Sequence, residues 1–306
     1  MPRVPDQILN CVVYLYPSEA EAEDGKSLGG SGFLGSVELA KGLYMLFVVT
    51  NKHVVDGGSA VVRLNTRGGG VDIIPLDGET WYDHPDGDDL TICPIGLDRD
   101  RHEIHHIHSE RWIDRDFASE MDIGIGEDVF SVGRFVNREG RQKNTPALRF
   151  GNISQMPGEP IRCDGFTQNE AFLVEMRSVA GYSGSPVFVD VVKYVPYPPG
   201  IPKEKFYKYG GLRLVGGNLL LGINFCHILG TEPETAVNGN SVPQERRVQI
   251  NSGMAGVIPA WRLVDILERT KLKEHIENLK AKLTAQMARK DESEPALGSL
   301  SNDETA

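Results

Sequence analysis

Short apolar and β-branched runs recur between glycine and proline punctuation, at residues 11–16, 32–37, 43–49, 60–64, 71–76 and 90–93. Runs of this length bounded by turn formers predict strands, and their regular spacing predicts a barrel or a sandwich. A polar stretch over 97–122 interrupts the pattern, which resumes at 128–132, 147–150, 172–175, 186–192, 219–225 and 256–258. Two sets of about six strands predict two β lobes of similar size. Residues 193–211, KYVPYPPGIPKEKFYKYGG, are dense in proline, tyrosine and lysine. They predict a long hairpin or loop insertion, a solvated loop with a surface that a partner could use.

From Pro259 the period changes. Leu263, Ile266 and Leu267, then Leu272, Ile276, Leu279 and Leu283, recur at three- and four-residue spacing on one helix face. This predicts one long C-terminal helix over 259–290, its first half packed on the barrel. Its second half is left for a second copy of the chain or a regulatory partner. The acidic residues 291–306 lack large apolar groups and are expected to be disordered. The predicted organisation is a first lobe at 8–100, a connection at 101–122, a second lobe at 123–258, the helix and the tail.

Composition sharpens this picture. Gly contributes 34 of 306 residues, about 11% against an average of ~7%, which favours a turn-rich all-β chain over a helical bundle. The formal charge is −11, the wrong sign for binding phosphate backbones, so nucleic acid is not an expected partner. The longest uninterrupted apolar run, 43–49, has seven residues, far short of the ~20 that span a bilayer. The start, MPRVPDQILNC, lacks the sustained apolar stretch of a secretory signal. Cys11, Cys93, Cys163 and Cys226 are scattered with no CxxC pair, which fits reduced thiols and a cytoplasmic location, with no membrane partner.

The strongest local chemical signal is Gly181-Tyr182-Ser183-Gly184-Ser185-Pro186, between the strand-like FLVEM and Val187-Phe188. Glycine on both sides permits a sharp backbone path that exposes the serine hydroxyl and leaves nearby N–H groups unshielded. Such a segment is either a nucleophile turn or a plain turn. As a nucleophile turn, it offers the Gly181 and Ser183 amides as oxyanion donors. A serine hydroxyl needs a base, and His53 follows the apolar run at 47–49 and a small turn, about twenty residues after Gly29-Gly30-Ser31-Gly32. A lone histidine after a strand can equally be structural. The third group is a partly buried carboxylate that orients the imidazole. In His84-Pro85-Asp86-Gly87-Asp88-Asp89, Asp89 directly precedes an apolar strand and is preferred, with Asp88 the alternative. Asp86 and Asp88 lie in the polar turn and are expected to be solvated. His102, His105, His106 and His108 have spacing that could bind a transition metal, but a solvated loop is the simpler reading and no metal is assigned.

In this order SGFL, TNKHVV, HPDGDDLTI, GYSGSPVF, LLGINF and GMAGVIPAW resemble the chymotrypsin-like (trypsin-fold) serine peptidases, closest to bacterial Deg-like and cytosolic trypsin-like domains. The resemblance covers roughly residues 8–270, with 36 residues from His53 to Asp89 and 94 from Asp89 to Ser183. It implies two perpendicular six-stranded β-barrels with the site between them, and a serine endopeptidase acting on protein or peptide substrates without a metal or organic cofactor. It implies Gly181 and Ser183 as the oxyanion hole, Arg177 near the base of the specificity pocket, and Phe225, Cys226 and His227 along one wall. A cationic pocket there would select acidic side chains, unless Arg177 points outward or makes a structural ion pair. Tyr182 and Val54 replace an aspartate and a cysteine of the secreted digestive enzymes, so zymogen activation by a new N-terminus is not expected. No PDZ-like domain is expected after the helix. Bulky Phe225 and His227 also leave open a catalytically silent scaffold that binds peptides.

Overall fold

A computed structural model of the chain describes residues 3–26, 29–135, 140–163, 166–176, 181–196, 212–233 and 247–293. The first lobe holds β1 (Val12–Tyr16), β2 (Gly30–Ala40), β3 (Leu43–Thr50), β4 (Val61–Asn65), β5 (Val71–Pro75), β6 (Tyr82–Asp83) and β7 (Thr91–Pro94). They pair in the order β5-β4-β1-β2-β3-β7-β6, with the short β8 (Ile107–His108) running parallel to β2. The second lobe contains β9 (Asp128–Gly133) and β10 (Ala147–Gln155), a separate ribbon of β11 (Ile161–Cys163) and β12 (Phe166–Gln168), then β13 (Phe172–Glu175), β14 (Pro186–Pro196), β15 (Leu212–Pro233) and β16 (Arg247–Pro259). Six of these close a barrel in the order β10-β13-β16-β15-β14-β9. The chain is mostly β, as the run spacing predicts, and its described residues end in helix, as the change of period at Pro259 predicts.

Burial along β1 shows how the lobes are joined. All five residues are buried, because the strand is covered on both faces and its side chains alternate with period two. Val13 and Leu15 pack with Leu34, Val48, Val62 and Leu64 inside the first lobe. Val12, Tyr14 and Tyr16 belong to a second cluster with Phe130, Val132, Phe188 and Leu220 of the second lobe. A third cluster, including Val129, Phe172, Val174, Val187 and Val257, fills the closed barrel. The lobes therefore meet through an apolar core, and a site between them has rigid walls.

Among the described residues, five α-helices decorate this frame: α1 (Glu19–Asp24), α2 (Lys52–Asp56), α3 (Arg115–Glu120), α4 (Trp261–Arg269) and α5 (Leu272–Ser293). The apolar period that reads as one C-terminal helix is divided between α4 and α5. Thr270 has extended backbone, φ −112° and ψ 175°. Its hydroxyl donates to Ile266 O at 2.7 Å and accepts from the Leu272 N–H at 3.2 Å, closing one helix and opening the next. Leu263, Ile266, Leu267, Leu272 and Ile276 stay on the inter-lobe core across the break. β14 and β15 pair out to Pro196 and Leu212, so the first residues of the predicted insertion, 193–196, extend the strand pair of the barrel. Residues 197–211 and the tail from 294 lie outside the described residues. No helix among the described residues is long and apolar enough to cross a membrane, and all four cysteines are buried and free.

Candidate active site

β3 ends at Thr50, and Asn51, with extended φ −76° and ψ 145°, begins α2. His53 is the second residue of that helix, so its backbone N–H has no partner within the helix. Asp89 supplies one: Oδ1 accepts the His53 N–H at 2.8 Å, and Oδ2 lies 2.6 Å from His53 Nδ1. One carboxylate thus fixes both the main chain and the ring, and the proton of a neutral imidazole belongs on Nδ1, which makes Nε2 the basic nitrogen. Asp89 is 8% exposed, whereas the His53 side chain is 38% exposed. Asn51 Nδ2 donates to Asp89 O at 2.8 Å, and the Asp89 N–H donates to Gln168 Oε1 of β12 at 3.1 Å. The second lobe therefore grips the aspartate turn.

Ser183 is held differently. Gly181 and Gly184 have φ +92° and +83°, and the Ser185 N–H donates to Tyr182 O at 2.9 Å. The positive φ at the third residue is what a type II turn demands. Tyr182 is fully buried and its hydroxyl donates to Ala147 O at 2.9 Å. The outer side of the turn rests on Ser31 of β2. The Ser31 N–H donates to Ser183 O at 2.9 Å, and its hydroxyl donates to Gly181 O at 2.6 Å and accepts from the Arg134 N–H at 2.8 Å. Thr50 Oγ1 donates to Ser31 O at 2.8 Å, so the strand end that launches His53 is bonded to the residue that seats Ser183. A Cβ on Gly184 would overlap the Ser31 carbonyl and the Thr50 hydroxyl, a close approach only glycine allows. Among the described residues, the Ser183 hydroxyl and the Gly181 and Ser183 amides make no hydrogen bond.

The polar turn before Asp89 is only partly solvated: residues 85–87 are exposed, as expected of Asp86, but Asp88 is not. Asp88 and His84 have side chains with no exposure, because α4 covers them. Arg262 Nε donates to Asp88 Oδ2 at 2.5 Å, and His84 Nε2 lies 3.3 Å from Asp265 Oδ2. Burial pushes the His84 pKa down, outweighing Asp88 and Asp265. Asp86 is the exposed member, held at about 2 chiefly by its hydrogen bond to Arg269. Ligand atoms of His84, Asp86 and Asp265 lie within 4.8 Å of one another. Arg262 and Arg269 already pair with the two carboxylates.

The histidine-rich stretch also departs from a solvated loop. His102 is 4% exposed, with Nε2 2.8 Å from Asp72 Oδ2. His106 Nδ1 lies 2.7 Å from Ser36 Oγ, and the rings of His106 and His108 both pack 5.2 Å from Tyr44. Burial is the first cause lowering the pKa of His105 and His106. No metal-binding group forms from these histidines among the described residues.

Of the residues assigned to the pocket, Arg177 lies outside the described residues. Phe225 sits at a bulge between Asn224 and Cys226 and is 1% exposed. The bulge turns its ring inward over Gly256, where a Cβ would lie 2.5 Å from it. Cys226 is buried with it, while His227 is half-buried. Asn51, Ser31, Thr50, Gln168 and Arg262 were not singled out by sequence. Asn51 is a residue type that favours helix starts, but Gln168 and Arg262 carry no local signal.

No protein-family model and no curated protein matches the chain. Solved structures similar to it include the MamO protease domain from Magnetospirillum magneticum, apo form, at 16% identity over 86% of this chain and 98% of that one, TM-score 0.48. Deg5 has 18% identity over 72% and 81%, TM-score 0.42, and the HtrA-type protease AlgW with a decapeptide 17% over 78% and 50%, TM-score 0.41. At such identities and scores the likeness concerns chain path alone.

Proposed function

We propose that the protein is a serine endopeptidase using Ser183, His53 and Asp89. The observation that carries this reading is the two-point grip of Asp89 on His53, at 2.8 and 2.6 Å, beside a serine turn bonded to the same strand pair. His53 Nε2 takes the Ser183 proton as the serine oxygen attacks a peptide carbonyl. Asp89 keeps the imidazole in the required tautomer and stabilises its charged form. The Gly181 and Ser183 amides receive the developing oxyanion, a placement worth several kcal/mol. The imidazolium then protonates the leaving amine, and a water deprotonated by the same nitrogen hydrolyses the acyl-enzyme. No step requires a metal or cofactor. The four buried free thiols favour a reducing compartment such as the cytoplasm.

Cleavage of a random peptide library tests the reading. Cleavage by the full chain and its loss in Ser183→Ala support it; a preference for acidic residues would assign Arg177 to the pocket, and one for Lys or Arg would remove that role. A second reading, a silent peptide-binding scaffold, is favoured by one observation: Phe225 occupies the space over Gly256 that a side-chain pocket between β15 and β16 would need. Peptide binding without cleavage is its signature.

A further inference from the structure

Asp88 and Asp89 are neighbours with opposite duties. Asp89 faces His53, while Asp88 is drawn to α4 by Arg262. The Leu90 N–H donates to Asp88 O at 2.7 Å, a three-residue turn centred on Asp89. His84 N–H to Leu90 O at 2.9 Å and Gly87 N–H to His84 O at 3.1 Å close the rest of the loop. The orientation of the Asp89 carboxylate therefore depends on where Asp88 is anchored, and its anchor lies 174 residues away. The Arg262 side chain is 14% exposed, Asp88 and His84 not at all. Arg262 also reaches Asp265 at 3.0 Å and Asp86 at 3.4 Å, spreading one guanidinium over three carboxylates. A charge this enclosed has no water to replace its partner, so loss of Arg262 forces the turn to move.

We propose that Arg262 is a positioning residue: through Asp88 it sets the aspartate turn, so that α4 is a working part of the site rather than a packing element. The inference rests on the triad reading above. Loss of a staple that only stabilises the fold would lower the melting temperature and leave the His53–Asp89 hydrogen bond untouched. The full chain is therefore compared with Arg262→Met, Arg262→Lys and Asp88→Asn. Two readouts are used: the proton NMR resonance of the His53 Nδ1–H, assigned with His53→Ala, and the rate of acylation by a fluorophosphonate.

The resonance of the native chain is expected far downfield, as a short charge-assisted hydrogen bond requires. In Arg262→Met it moves upfield or vanishes, and acylation slows roughly 10–100-fold, the scale of a displacement of about 1 Å in a reacting group. Arg262→Lys restores part of both, and Asp88→Asn, which keeps the side-chain shape, reproduces the loss if Arg262→Met does not fold. Arg269→Ala, which removes only the exposed contacts to Asp86 and Asp265, leaves the resonance in place. An unchanged resonance in folded Arg262→Met or Asp88→Asn overturns the proposal. If the native chain is not acylated at all, the peptidase reading fails by itself, and the resonance alone decides whether Arg262 positions Asp89.

Discussion

His53 and Asp89 are joined by side-chain hydrogen bonds at the end of the first lobe, whereas Ser183 is fixed almost wholly through main-chain atoms of a glycine turn. Asp89 spends both carboxylate oxygens on one residue, while the serine turn offers the carbonyls of Gly181 and Ser183 to Ser31. The first arrangement depends on which functional groups are present. The second depends on which atoms are absent, since Gly184 has no room for a Cβ. Substitutions should therefore fail in different ways on the two sides: chemically at Asp89, sterically at Gly184.

The largest effect is expected at Asp89→Asn. An amide can present its NH₂ to the ring and favour the wrong tautomer, so acylation of Ser183 should fall about 10⁴-fold with the melting temperature little changed. A loss under tenfold would break the contrast. Gly184→Ala should instead unsettle the fold: left-handed backbone alone costs about 1–3 kcal/mol, and the overlap with Ser31 and Thr50 adds to it. Denaturant unfolding should show that loss together with reduced labelling; intact stability would mean that the turn can shift. Ser31→Ala removes the hydroxyl shared by Gly181 O and Arg134 N. Leaving such buried groups unpaired costs about 1–3 kcal/mol, and labelling should slow about tenfold if the oxyanion donors are displaced.

The smallest effect lies at the rim, where Arg269 holds Asp86 at about 2, below its ordinary 3.8. A carboxylate with a depressed folded-state pKa adds stability that is present above the unfolded value, near pH 4, and is lost as pH falls toward 2. Asp86 is solvent-facing, so screening keeps the contribution small. Arg269→Ala should flatten stability against pH in that window and leave acylation at neutral pH unchanged. A marked loss of acylation would move Arg269 into the positioning network.

Much of this was legible in sequence because it is local. The six runs from 128 to 258 appear as the six strands of the closed barrel, since alternating apolar residues between turn formers leave few other structures. The proximity of His53 and Asp89 follows from the pairing of β3 with β7, which sets Thr50 opposite Thr91 and brings the two chain ends together. What was not legible is set by distant partners. Asp88 reads as a turn residue until α4 lays Arg262 upon it, and the histidines of 102–108 read as solvated until Asp72, Ser36 and Tyr44 receive them. The division at Thr270 is hidden because the apolar period runs through it. The bulge at Phe225 is also hidden, since bulges leave no clear trace in hydrophobic pattern.

The central claim is that Ser183 is a nucleophile activated by His53, and a fluorophosphonate tests it most directly. After incubation with the full chain, peptide mass mapping should find one adduct on Ser183, absent in Ser183→Ala and strongly suppressed in His53→Ala. A folded native chain that takes up no label, or labels elsewhere while Ser183 stays unmodified, would contradict it.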